Sequence, residues 1–499
     1  MVLFFSQGGL VSQSVPFEHG DQDTERVGEH APERRQRSDA ALNRAKIIDA
    51  ARRLLADAGD ASMRSIAEAA GLGRGTVHRH FQTREELMDA VRRQALDDAE
   101  SDEEDYLRPP GELANVSNTP LSVADVLNKV PPFQLGEQII AEAQRLPGVS
   151  SAALYVVDLD GASMQRLAGA ATFPAQISVP LAVGPEIPRE GVAAIRAVFE
   201  QLLPGATVAP LQLRSRAIGV LLAVGTASDQ LRDLASEAAI ALSIAPTYTD
   251  YIDTVRRTRP TSPAAEIQQN LLPPRIARVG GATLAGNVLP GYEIGGDWFD
   301  YTENPFGTWL GIADSAGIGP SAAAIGAVTL GAFRSIRRES NDPAESLLAM
   351  HKVLLELADG HATSMATIGH WNAPASTFRW VTAGDQPPLR VTSDGQLKPL
   401  DGELNPTLGA DDFPDQLTTH TVRLDTTDRL LLLSDSLTDP DRGVGLGTVA
   451  RAIAKADGNA APATLRAIED AMREAHPDHL DDDATIIVLA PSGMIGATG

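Results

Sequence analysis

Apolar positions along this chain change period more than once, and each change marks a new region. Between Ala41 and Leu96 the spacing is helical. Ile47, Ile48, Ala51, Leu54 and Leu55 fall at i, i+3, i+4 and i+7, and Gly59 is placed to end that helix. Ser62 is placed to cap a second short helix that turns Ile66 and Ala70 inward. Gly71-Leu72-Gly73 then makes a tight turn into a third helix, Arg74 to Phe81, and a fourth carries Leu87, Met88 and Val91. Two short helices joined by a glycine turn form a helix-turn-helix unit.

From Pro132 to about Asp250 helical and alternating patterns interleave. Helices are predicted over Glu137 to Arg145, Gly191 to Leu203 and Asp229 to Ile244. Strands are predicted over Ala152 to Asp158 and as a pair, Val208 to Leu213 and Ile218 to Gly225, around Ser215-Arg216. Pro260 and Pro263 then break the chain. Ser262-Pro263 starts a helix that Leu271-Leu272-Pro273-Pro274 stops. Further on, Trp298 to Tyr301 and Thr308 to Ala313 read as a hairpin about the turn residues Glu303 to Gly307, with an Ala-rich helix from Ser321.

Composition refines this picture at few points. The first 40 residues are polar without an apolar period, which reads as a disordered arm. Asp97 to Asp105 is an acidic block and Pro109-Pro110-Gly111 follows it, so 98–129 reads as a linker. The formal charge of −24 argues against a polyanion-binding surface over the whole molecule. Locally the balance reverses: Arg34 to Arg93 holds 13 Lys and Arg against 8 Asp and Glu, as a phosphate-facing module needs. The absence of cysteine excludes disulfide and thiolate-metal chemistry. Val2 to Phe5 is too short for a signal peptide, and no apolar run reaches membrane-spanning length, so a soluble cytoplasmic protein without membrane contact is expected.

Candidate chemistry sits where acidic residues meet apolar runs. Asp297 and Asp314 each close a short apolar run beside glycines, and the hairpin between them brings both to one end of a sheet. Asp435 ends the run L-L-L-L-S-D-S, and Asp482 and Asp483 open the last apolar run. A lone strand-end aspartate is ordinarily a turn residue. Recurrence in one region points instead to a site for hard divalent cations such as magnesium or manganese.

These motifs carry a resemblance. Q-Q-N-L-L-P (268–273), G-G-D-W-F-D (295–300), A-D-S-A-G-I-G (313–319), T-A-G-D-Q-P-P-L (382–389), L-L-L-L-S-D-S-L-T-D (430–439) and D-D-A-T-I-I-V-L (482–489) resemble, in order and spacing, the SpoIIE/RsbU branch of the PPM-type metal-dependent serine/threonine phosphatases. The resemblance implies two divalent cations, Mn2+ or Mg2+, bridged by Asp314, with the Ser315 carbonyl and Asp297 on one side and Asp435 and Asp482 on the other. It also implies a phosphorylated, anti-anti-sigma-like protein substrate. The chain departs from the family's pattern at Asp385 and Ser436, in positions where histidine and glycine are usual, and at A-D-S-A-G-I-G.

The segment from about Leu42 to Leu96, with S-M-R-S-I-A-E-A-A-G-L-G-R-G-T-V-H-R-H-F, resembles the DNA-binding domain of TetR-family regulators. That implies double-stranded DNA as a partner, contacts from Ser62, Arg64, Arg74, Gly75, Thr76, His78, Arg79 and His80, and a homodimer reading paired half-sites. A-P-L-Q-L-R-S-R-A-I-G-V-L-L-A-V-G resembles the core of GAF sensor domains, which implies a small-molecule ligand or a dimerisation spacer. The expected fold is multidomain α+β: an all-α helix-turn-helix bundle (41–97), a GAF-like α/β sensor fold (130–250), a linker helix (251–274) and a PPM-type α-β-β-α sandwich (275–493). Three readings stay open. They are an active phosphatase tied to DNA, a regulator whose phosphatase domain only binds a partner, and a phosphatase whose helical N terminus only dimerises.

Overall fold

The computed structural model describes residues 43–492 except 52–53, 55–61, 85, 89, 92–122, 180, 226–228, 294, 358–361, 442, 457, 478–479 and 481. The polar arm 1–40, the helix end at Gly59 and the acidic block therefore lie outside the described residues. Met1–Asp105 and Tyr106–Gly499 are separate compact units.

In the first unit, helical residues 43–51 pack on α1 (Met63–Ala69) and α2 (Arg74–His80). Ile47, Ile48, Ala51, Ile66, Val77, Phe81 and Leu87 share one small core. Ser62 begins α1 through a reciprocal cap: its Oγ accepts from Ser65 N at 3.1 Å, and Ser65 Oγ accepts from Ser62 N at 3.0 Å. Gly71, at φ +64, makes the turn that an L side chain resists.

The second unit begins inside the expected linker. Its last part is α3 (Val123–Lys129), because Val126 and Leu127 find apolar partners. With α4 (Leu135–Arg145), α6 (Asp229–Ile244) and α7 (Tyr251–Arg256) it covers one face of a six-stranded antiparallel sheet. That sheet runs β3 (Gln176–Ser178), β2 (Ser163–Gly169), β1 (Ser151–Val157), β6 (Arg216–Val224), β4 (Ile187–Pro188), and β5 (Ala206–Leu213) also pairs with β6. Alternation assigns the faces: Ala152, Leu154 and Val156 meet these helices, while Ala153, Tyr155 and Val157 meet α5 (Gly191–Leu202).

After α8 (Pro263–Leu271) come two further sheets. One orders β15 (Leu404–Asn405), β12 (Thr377–Ala383), β11 (Ser364–Asn372), β10 (Gly307–Ser315) and β9 (Trp298–Asn304), with β16 (His420–Arg423) on β12. The other orders β14 (Leu397–Pro399), β13 (Leu389–Val391), β17 (Arg429–Leu433), β18 (Ala484–Pro491), β8 (Ala282–Leu289) and β7 (Ile276–Val279). Leu430, Leu432, Ile487 and Leu489 face Phe299, Leu310 and Ile312 of the opposite sheet, and their alternates Leu431, Leu433, Ile486 and Val488 face helices. Those helices are α12 (Gly445–Lys455) and α13 (Ala461–Ala475), while α9 (Gly319–Ile336) and α10 (Pro343–Glu356) cover the other sheet. This is an α-β-β-α sandwich. The turn of the β9–β10 hairpin is tighter than expected, since Asn304 pairs with Gly307 and only Pro305-Phe306 stands between them.

The central sheet and the sandwich form one compact unit rather than two independent ones, and buried polar ties account for it. Glu186 Oε2 accepts from Ile276 N at 3.0 Å while its Oε1 pairs with Arg216 at 2.9 Å. Asp158 accepts from the Tyr292 hydroxyl, and Asp160 accepts from Gly291 N at 3.1 Å.

Candidate active site

Strand register assembles the carboxylates. Trp298 pairs with Ala313, so one step further along the same register Asp297 stands across from Asp314 at the end of β9 and β10. On the other sheet Leu433 pairs with Ile486, which sets Asp435, the first residue of α11 (Asp435–Thr438), beside the start of β18. Both sheets thus bring their acidic ends to one edge of the sandwich.

Close backbone approach shapes that edge. A Cβ on Gly326 of α9 would lie 2.3 Å from Gly296 O, and one on Gly296 would lie 2.6 Å from Ala322 O. Only glycines let the helix settle onto the turn before Asp297. After Ser315, Gly317 (φ +108) and Gly319 (φ +66) turn the chain into α9.

Asp297 is buried and its Oδ2 accepts from Thr485 Oγ1 at 2.7 Å. Asp314 Oδ2 accepts from Gln386 Nε2 at 3.3 Å, and its main-chain oxygen accepts from Ser364 Oγ at 2.9 Å. Asp435 and Ser315 are buried beside them. Asp482 is exposed, whereas Asp483 turns inward and accepts from Gly295 N at 2.6 Å. The sequence reading singled out Asp385 and passed over Gln386; Asp385 is exposed, and the neighbouring amide is the one that reaches Asp314. The Ser436 Oγ donates to Asp483 O at 2.5 Å.

Burial pushes the Asp314 carboxyl up to about 7, and the charges of Asp435 and Asp482 and a hydrogen bond with Asp435 push the same way. Burial also pushes Asp483 up to about 7, against the backbone N–H groups of Gly295 and Asp297. Asp297 is driven well above the carboxylate range by burial, then by Asp314 and Asp483. Crowded, desolvated carboxylates of this kind need protons or a cation for charge balance. All the donors are oxygens, which fits magnesium or manganese. Among the described residues no three Asp, Glu or His side chains converge closely enough to hold one ion, so the fit is of donor chemistry and charge.

In the first unit, Arg74, Gly75, His78 and Arg79 lie exposed on α2, with Thr76 and His80 half-buried on the same helix. Ser62 and Arg64 are exposed at the start of α1; the Ser62 hydroxyl serves the cap, and Arg64 pairs with Glu68 at 3.1 Å. All eight expected contact residues therefore fall on α1, its N-cap or α2. Among the described residues no helix is long and apolar enough to cross a membrane.

Comparison with known proteins divides the chain in the same way. Residues 304–491 match the family model described as stage II sporulation protein E (SpoIIE), and residues 47–91 match that of bacterial regulatory proteins of the tetR family. No curated protein matches the chain. Among solved structures, the RsbU and RsbW domains of a Mycobacterium tuberculosis protein are 22% identical over 43% of this chain and 63% of that one, at a TM-score of 0.38. The PP2C phosphatase domain of SpoIIE from Bacillus subtilis, with a fragment of its regulatory domain, is 13% identical over 72% and 87%, at 0.37. The catalytic domain of the serine/threonine phosphatase PstP, solved with two manganese ions, is 17% identical over 42% and 98%, at 0.33. At such scores these likenesses carry nothing about chemistry. The chain thus joins a segment similar to tetR-family regulators, residues 47–91, to a region similar to SpoIIE, residues 304–491.

Proposed function

We propose that the C-terminal sandwich is a metal-dependent protein serine/threonine phosphatase whose output is coupled to DNA binding by the N-terminal module. The observation that carries this reading is the meeting of Asp297, Asp314 and Asp435 at one sandwich edge, with burial and mutual charge raising the first two. Asp297, Asp314, Asp435, Asp482 and the Ser315 carbonyl are the groups assigned to two Mn2+ or Mg2+ ions. Bound there, such ions neutralise phosphate charge and activate water for in-line attack. The chain's own part is to hold the carboxylates in register: Gln386 orients Asp314, Thr485 orients Asp297, and Asp483 pins the turn at Gly295.

The substrate in this reading is a phosphorylated anti-anti-sigma-like protein, and the residues on α1 and α2 contact double-stranded DNA as part of a homodimer. The central sheet, helices on both faces and hairpin at Ser215-Arg216, is read as a GAF-like sensor. A second reading, a domain that binds a phosphoprotein without cleaving it, draws on the exposure of Asp482 while Asp483 turns inward.

Manganese-dependent hydrolysis of a phosphoserine peptide and a small phosphate ester separates the two. Activity in the intact protein that Asp314→Asn and Asp435→Asn both abolish is the expected result. Inactivity of the intact protein toward both substrates overturns the phosphatase reading in favour of the second.

A further inference from the structure

A cleft of about 1330 Å³ opens between the central sheet and the sandwich, and its polar lining is dominated by arginine. Arg189 precedes α5, Arg196 lies on it, and Arg214 stands at the tip of the β5–β6 hairpin. From the opposite wall comes Arg278 of the edge strand β7. All four are exposed, and none has an ion-pair partner among the described residues. Arg216 and Arg232 also line the cleft but are engaged, by Glu186 and Asp229. The acids of the lining are Glu190 and Glu303, and Glu303 already accepts from Gly280 N at 2.6 Å.

In a chain of net charge −24, six arginines gathered against two glutamates call for an explanation. A concave wall of one sign focuses potential and concentrates counter-ions, so the arrangement favours an anion over solvent. Arg214 adds a second observation. It holds φ +53 at the hairpin tip, a conformation a long side chain rarely takes, and so presents its guanidinium from a tight turn. Guanidinium forks match phosphate oxygens two at a time. The lining also includes Pro210, Pro273, Pro274 and Tyr301, apolar surface against which a planar ring can lie. The volume exceeds what inorganic phosphate needs and is ample for a nucleotide-sized ligand.

We propose that this cleft binds a nucleoside polyphosphate, with its phosphates bridging Arg189, Arg196 and Arg214 on one wall and Arg278 on the other. The site is separate from the carboxylates: neither Asp297, Asp314, Asp435 nor Asp482 lines it. It is nonetheless connected to them, since Tyr301 and Glu303 of the lining sit on β9, the strand that begins directly after Asp297. A ligand spanning both walls therefore ties the central sheet to a strand of the catalytic edge.

Calorimetric titration of the full-length protein with ATP, in EDTA, tests the proposal. Binding is expected for the intact protein. It should weaken by about 10-fold or more in Arg214→Ser with Arg278→Ser, both exposed positions where folding is checked by circular dichroism. Asp314→Asn and the pair Arg74→Ala with Arg79→Ala are expected to bind ATP like the intact protein. Inorganic triphosphate is expected to bind at least about 10-fold more weakly than ATP, because it lacks the ring. Equal affinity for triphosphate overturns the nucleoside assignment. Absence of ATP binding, or binding that survives the Arg214 and Arg278 changes, overturns the site, as does loss on changing Asp314 or the α2 arginines.

Discussion

Asp314 and Asp483 hold their protons far above the range of a free carboxyl, and that has a consequence for stability. An unfolded aspartate titrates near 3.8, while burial pushes both groups up to about 7 in the folded chain. Between those values the folded state binds more protons than the unfolded one. The stability from these groups is therefore complete below pH 3.8 and is lost as pH rises through about 7. Melting temperatures in EDTA are expected to fall more steeply across that window for the intact protein than for Asp314→Asn. Equal slopes would exclude this account. Manganese is expected to raise the melting temperature most at the upper end of the window, where the carboxyls are free of protons. The sequence could rank these acids only by position. It offered Asp482 and Asp483 side by side, and nothing local says which faces inward; pairing of β18 with β17 and β8 decides it. Likewise Asp385 stood out as a departure from the family's pattern, but its neighbour Gln386 makes the contact with Asp314.

Among the elements, α9 fixes the carboxylate edge by pressing Gly326 onto Gly296. Gly326→Ala puts a methyl group 2.3 Å from the Gly296 oxygen, so the helix or the turn before Asp297 has to move. The change is expected to cost about 1–3 kcal/mol and to reduce manganese-dependent hydrolysis. Gly331 on the same helix has nothing within 4 Å of its Cβ position, and Gly331→Ala is expected to stabilise by about 0.5–1 kcal/mol with activity kept. Denaturant unfolding with parallel assays reads both, and equal effects from the two changes would refute the close-approach argument. Helix α2 permits a test of its own. Arg74→Ala and Arg79→Ala are each expected to weaken binding to duplex DNA across sequences and to lower the salt slope by about 1. An unchanged slope would remove these side chains from the phosphate contacts. Both helices were legible in advance, from the glycine turn at 71–73 and the Ala-rich run after Ser321.

For the molecule as a whole, the central sheet and the sandwich are joined by buried charge. Glu186 binds Arg216 and the Ile276 amide, and Arg275 lies buried beside it. Burial raises the Glu186 carboxyl, and Arg216 and Arg275 oppose it, so the tie depends on all three. Glu186→Ala leaves Arg216 without its ion-pair partner and the Ile276 amide without its acceptor, and is expected to destabilise by about 3–5 kcal/mol. Scanning calorimetry is expected to show the central sheet and sandwich melting together in the intact protein and as separate transitions in the variant. Two transitions in the intact protein would show that these ties do not couple them. The sequence predicted separate domains here because each has its own apolar periods; the ties are single polar residues, invisible to periodicity.

What the sequence determined by itself is local or periodic: helix caps, the alternation of Leu430 to Leu433, the glycine turns and the order of the acidic motifs. These follow from spacing because each depends on neighbours a few residues away. Tertiary structure alone decided which of two adjacent aspartates turns inward, that Tyr292 reaches Asp158, and that arginines scattered from 189 to 278 line one cleft. Those contacts join residues far apart in the chain, and their energy comes from desolvation and charge at positions that only the packed sheets bring together.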